Sequence, residues 1–230
     1  DLVIVMMRIA DMDPITFGEK VKAEYPDKPI VLLAFDESEI TSLPQERMNK
    51  SIDKVFIWSG NANLFPAVIK NFEDKMNFER DYKIADIRAI ILVEDNPRYY
   101  SIILPLIYRT ALLHARNLIN KSLSDTDRLL LFRARPKIIL VSSYEEAVKY
   151  YDDYRHNILG FISDVRFPKN NELDDHAGIK LAEYIRKKDS DMPIILQSTN
   201  PHHNEDANAI NASFIHKKTS SLLQELENLR

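Results

Sequence analysis

Five side chains stand where apolar runs stop: Glu94 and Asp95 after AIILV, Asp164 after ILGFIS, Ser198 at the end of PIILQS, and Lys217 after SFIH. A carboxylate at the tip of a buried run is costly unless it faces water or serves a partner there. Three carboxylates drawn into one crevice repel each other unless a cation lies among them. An all-oxygen donor set without His or Cys favours a hard ion, Mg2+ first, which keeps some waters and leaves room for phosphate oxygens. A lysine ammonium and a serine hydroxyl are what a transferring phosphoryl group needs beside such a metal, because its equatorial oxygens carry the charge. In that setting Asp164 is the nucleophile and an acyl phosphate is the product. The pattern makes Asp164 a phosphoacceptor, with Lys217 and Ser198 beside it and Glu94, Asp95 and Asp164 as the Mg2+ ligands.

For these groups to meet, the runs that carry them must lie side by side. The strand candidates are LVIV (2–5), PIVLLAF (29–35), KVFIW (54–58), AIILV (89–93), KIILV (137–141), ILGFIS (158–163), PIILQS (193–198) and SFIH (213–216). Continuous rather than alternating apolar runs suit parallel strands buried on both faces. Helix starts are readable between them. Asn96-Pro97 sets a capping side chain before a proline at the first helical position, and Ser143 to Glu146 and Ser221 to Gln224 have capping-box spacing. From residue 89 onward strands and helices alternate, which spells a doubly wound α/β fold. A sheet of that kind has its crevice at the carboxyl ends of the strands.

The first seventy-odd residues repeat the second half of that unit. With Met6 placed on Asp164, Arg8 falls on Arg166. After a six-residue insertion in the second copy, Pro29 meets Pro193 and Ala34 meets Ser198. At the last strand Phe56 is set on Phe214, Trp58 on His216 and Ser59 on Lys217. This divides the chain into a partial unit, 1–76, a charged linker, 77–88 (NFERDYKIADIR), and a complete unit, 89–230. In the partial unit Met6, Ala34 and Ser59 replace the three reactive groups, and Asp11 and Asp13 lie too far along the next loop to substitute.

Composition narrows the classes. A chain of 230 residues with 45% hydrophobic and 29% charged residues fits a globular protein, and no segment approaches a membrane span. A net charge of −4 argues against a broad nucleic-acid surface. With no cysteine there is no disulfide or thiolate metal site, which suits a reducing, cytoplasmic setting. The opening DLVIVMM, strand-like with no preceding cap, is expected to fall inside a longer protein. With only 4 glycines the chain has little room for a phosphate-cradling glycine loop, so it reads as a phosphoacceptor rather than an enzyme. His202 and His203 with Glu205 and Asp206 form a weaker candidate metal set at the start of a helix.

The segments ILVEDN, FISDVRFP, PIILQST and SFIHKK, in this order, resemble the signature segments of the response-regulator receiver (CheY-like) domain. The resemblance covers all of 89–230 and implies a five-stranded parallel, flavodoxin-like sheet of order 2-1-3-4-5 and specific roles. Glu94 and Asp95 match the acid pair that holds Mg2+, Asp164 matches the phosphorylated aspartate, and the backbone carbonyl of Arg166 is a further metal ligand. Ser198 matches the switch hydroxyl, Phe214 the switch aromatic, Lys217 the lysine of the site and Pro168 the proline of the loop after it. The partial unit resembles a degenerate pseudo-receiver. Receiver pairs with a VEDN-RYYS-LP-IY stretch, found ahead of phosphoenolpyruvate-synthase-like modules, are similar.

Three departures qualify the match. Lys218 stands where proline is usual, Thr199 replaces a smaller residue, and the helical region 97–135 is about twice the length a receiver uses. Its apolar stretch is expected to be a partner surface or a homodimer contact. The implied function is two-component or phosphorelay signalling, with a histidine kinase or phosphotransfer protein donating to Asp164. The alternative is a phosphorylation-independent interaction module that regulates a downstream enzyme.

Overall fold

The computed structural model describes residues 2–9, 11–119 and 135–217, with only the backbone described over 114–119. The chain splits into two compact units, Asp1–Phe72 with Asn96–Pro105, and Glu73–Asp95 with Leu106–Arg230.

In the first unit, β1 (Val3–Met6), β2 (Ile30–Ala34) and β3 (Lys54–Ile57) form a parallel sheet of order β1-β2-β3. Every residue of β2 is buried, as a central parallel strand requires. Between the strands lie α1 (Pro14–Glu24), α2 (Glu37–Thr41) and α3 (Gln45–Ser51). Asp13 starts α1 by accepting the Ile15 and Thr16 N–H groups at 3.1 and 2.9 Å, so this carboxylate is occupied as a helix cap.

Two long helices follow, α4 (Leu64–Ala85) and α5 (Pro97–Ile119), and the boundary between units falls inside each. The stretch 77–88, expected to be a linker, is helical through Ala85. Its physical reason is Phe78, which is buried and meets Tyr154 edge-on with ring centroids 4.9 Å apart. The helix ends where Asp86 takes a positive φ of 50°.

Asn96 caps α5 as expected, accepting the Arg98 N–H at 2.8 Å, and the helix runs through Pro105. Its first turns belong to the first unit. There Ser101 Oγ accepts the Ile57 N–H at 2.9 Å, and the Tyr100 hydroxyl donates to the Val55 carbonyl. Tyr100, Ile103, Leu104, Ile107 and Tyr108 are all buried within the chain. Residues 120–134, with Leu130 and Phe132, lie outside the described residues.

The second unit holds β4 (Ala89–Val93), β5 (Lys137–Val141), β6 (Ile158–Asp164), β9 (Ile194–Ser198) and β10 (Ser213–His216). The sheet runs β10-β9-β6-β4-β5, all parallel, which is the expected order 2-1-3-4-5. The helices α6 (Tyr144–Tyr154), α7 (Ala177–Arg186) and α8 (His203–Ala209) connect the strands. Ser143 caps α6 through the Glu146 N–H, while the Glu146 carboxylate accepts from Ser142 N–H rather than closing back on Ser143.

The six-residue insertion of the second copy becomes a small antiparallel ribbon of β7 (Phe167–Lys169) and β8 (Glu172–Asp174). Asn170 and Asn171 turn it with φ of 55° and 63°, the left-handed pair that a tight hairpin turn demands and that asparagine tolerates. Away from the strand ends, Asp74 of α4 is fully buried. It accepts from Arg135 at 2.7 and 3.0 Å, from Tyr108 at 3.0 Å and from the Ile138 N–H at 3.0 Å. Burial alone lowers the Arg135 pKa, but the hydrogen bond and charge of Asp74 outweigh it and hold it above the usual value.

Candidate functional site

A parallel sheet of this order has its strands' carboxyl ends on one edge, and a single extra ladder bond carries each chain past its strand. The Glu94 N–H donates to the Val141 carbonyl at 3.0 Å and the Val165 N–H to Gln197 at 3.1 Å. The Lys217 N–H donates to Ser198 at 2.9 Å. Each ionic side chain therefore leaves from a clamped backbone position.

From there Lys217 Nζ reaches Glu94 Oε2 at 2.6 Å and Asp164 Oδ2 at 2.7 Å. All three side chains are buried or nearly so, with exposures of 3% for Lys217, 0% for Glu94 and 12% for Asp164. The other carboxylate oxygen of Asp164, Oδ1, accepts the N–H of Val165 at 2.7 Å. Asp95 joins them: Glu94, Asp95 and Asp164 each bring a carboxylate oxygen within 4.8 Å of the others. The all-oxygen donor set of these three carboxylates could hold a metal ion.

Ser198 ends β9 and is buried. Its Oγ accepts the Asn200 N–H at 3.1 Å and lies 2.9 Å from His203 Nδ1. Phe214 packs, half-buried, against the core of this unit. Arg166 sits in the turn after β6, where its Nε meets Asp175 Oδ1 at 2.9 Å. Pro168 lies in β7 opposite Leu173. Thr199 is exposed and its carbonyl faces His216 Nε2 at 3.0 Å. Lys218 lies outside the described residues. His202, His203, Glu205 and Asp206 form no metal-binding group among the described residues.

Two parts of the site escape a reading of residue types. The first is Gly178. The α7 start closes on the turn after Asp164 through the Gly178 N–H, which donates to the Val165 carbonyl at 2.9 Å, and a Cβ at this position would lie 2.1 Å from the Asp164 carbonyl oxygen. A glycine two residues into a helix is a faint signal in sequence. The second is His203, which sequence places only at a helix start.

The equivalent edge of the first unit is differently furnished. Val3 N–H donates to the Pro29 carbonyl at 2.9 Å, as Phe161 does to Pro193 at 2.9 Å. Met6 pairs with Leu33 as Asp164 pairs with Gln197, so Met6 occupies the position equivalent to Asp164. At the last strand the sequence alignment is one residue out. Trp58 N–H donates to the Ala34 carbonyl at 2.8 Å, the bond that Lys217 makes to Ser198, so Trp58 rather than Ser59 holds the lysine position. Sequence spacing misses this because apolar strand residues on the two copies match equally well in either register. Trp58 stacks between Phe35 and Phe65 with centroid distances of 6.2 and 5.8 Å.

No protein-family description matches the chain, and no curated protein matches it. Among solved structures, a two-component system response regulator/GGDEF domain protein is similar at 16% identity, with 98% of this chain and 77% of that chain covered and a TM-score of 0.37. The GsuK channel is similar at 11% identity, with 98% of this chain and 51% of that chain covered and a TM-score of 0.36. At that similarity neither neighbour bears on function.

Proposed function

We propose that the second unit is a receiver-type phosphoacceptor of a two-component or phosphorelay pathway. One observation carries the reading: Lys217 Nζ bridges Glu94 and Asp164 in a buried crevice that also gathers Asp95. In this reading a phosphohistidine of a kinase or phosphotransfer protein is the donor. An Asp164 carboxylate oxygen attacks phosphorus, the P–N bond breaks, and the leaving imidazole takes up a proton. Lys217 then shifts its charge from the free carboxylate to the phosphoryl oxygens, and the Ser198 hydroxyl supplies a hydrogen bond from β9.

Glu94, Asp95 and Asp164 would hold Mg2+, with the Arg166 carbonyl added; when bound, the ion neutralises charge on the phosphoryl oxygens. Phe214 would follow Ser198 as β9 and β10 rearrange. Without the cation, the excess negative charge in the crevice opposes approach of a phosphate, so phosphorylation should require Mg2+.

Mass spectrometry after incubation with acetyl phosphate and Mg2+ tests this. One phosphoryl group on the peptide holding Asp164, absent from Asp164→Asn and absent without Mg2+, is the expected result. A wild-type chain that stays unmodified sinks the proposal.

A further inference from the structure

We propose that His203 is a positioning residue that latches the Ser198 hydroxyl in the unphosphorylated protein; this rests on the phosphoacceptor reading above. A serine hydroxyl has one hydrogen and two lone pairs. One lone pair of Ser198 Oγ takes the Asn200 N–H at 3.1 Å. The hydroxyl and His203 Nδ1 share a second hydrogen bond at 2.9 Å. In the latch the hydroxyl must leave this bond to serve a phosphoryl oxygen on Asp164.

Switching therefore trades one hydrogen bond for another. The serine gives up His203 and turns its hydrogen to the phosphoryl group, and the His203 bond sets how strongly the resting chain resists that trade. His203 is also placed to report on the phosphoacceptor turn. Its ring stands edge-on to His176, with centroids 6.0 Å apart, and His176 precedes the Ala177-Gly178 pair that closes over the Asp164 backbone.

Calorimetric titration of the full chain with beryllofluoride and Mg2+ tests the latch in four proteins: wild type, His203→Ala, Ser198→Ala and the double variant. A net hydrogen bond of ordinary strength predicts that His203→Ala binds about twofold to tenfold more tightly than wild type. Ser198→Ala should bind more weakly, and the histidine change should then have no further effect. His203→Asn, whose side-chain oxygen reaches the Nδ1 position, should return affinity to the wild-type value. His203→Phe keeps a ring and removes the acceptor, so it should match alanine and guards against a folding defect in His203→Ala. An equal shift in both serine backgrounds, or no shift at all, overturns the latch and leaves the phosphoacceptor reading standing. Absence of beryllofluoride binding in wild type and His203→Ala alike overturns both.

Discussion

The two units end their strands on the same backbone and with opposite chemistry. Trp58 and Lys217 make the same ladder bond, at 2.8 and 2.9 Å, yet one continues into an aromatic stack and the other into a buried ion cluster. Met6 and Asp164 share a register position, as do Ala34 and Ser198. The ladder needs only amides and carbonyls, so a parallel sheet keeps its form while the side chains at its edge are exchanged. Fold and site are separable here: the first unit keeps the frame with Met6, Ala34 and Trp58 where the second carries Asp164, Ser198 and Lys217.

The comparison breaks most visibly if charge can be moved across. Met6→Asp, Ala34→Ser and Trp58→Lys together rebuild the three reactive positions in the first unit. We expect no second phosphoryl or beryllofluoride adduct by mass spectrometry, because the three-stranded sheet described there has no counterpart of β4 to supply an acid pair. A second adduct would show that the acid pair is dispensable.

Next in size is Lys217→Met. It leaves Glu94 and Asp164 buried without their ammonium, a loss on the order of 3–5 kcal/mol for a broken buried pair. Urea denaturation followed by circular dichroism should show that loss at low Mg2+ and partial recovery as Mg2+ is added. Trp58→Phe, at the matching position, should cost under about 1 kcal/mol, since its indole N–H has no hydrogen-bond partner to lose among the described residues. Equal costs at the two positions would mean the cluster is not electrostatically coupled.

Gly178→Val tests how closely the second unit is built around its acid. The added Cβ would lie 2.1 Å from the Asp164 carbonyl oxygen, so the α7 start must retreat. We expect a stability loss of about 1–3 kcal/mol and a larger fall in phosphorylation rate than in stability-matched variants elsewhere. An unchanged rate would separate α7 from the chemistry.

The smallest effect lies on the surface of both units. Arg47 holds the Glu19 carboxyl below the usual range in the first unit, and the Lys188 hydrogen bond does the same to Asp152 in the second, with burial opposing and Tyr184 adding to it. A carboxyl with a lowered folded pKa contributes stability above its unfolded pKa and loses it as pH falls through the folded value. Asp152→Asn should therefore lower the urea midpoint slightly at about pH 7 and not at all near pH 2, where wild type has lost the pair too. A difference that grows toward acid would reverse the assignment.

Much of this protein follows from local chemistry. Continuous apolar runs announce parallel strands, and polar residues at their ends announce an edge where Glu94, Asp95, Asp164 and Lys217 can meet, because strand direction and connection handedness leave little choice of neighbours. The caps at Asn96 and Ser143 were readable because a short polar side chain satisfies N–H groups two or three residues on. Tertiary structure decided what depends on distance between segments. It made helix of 77–85 because Phe78 finds aromatic partners far along the chain. It set Trp58, not Ser59, opposite Lys217, because register is chosen by the neighbouring strand rather than by spacing along one's own. It also brought His203 to Ser198 and Gly178 to Asp164, contacts between a helix start and a strand end that residue type does not encode.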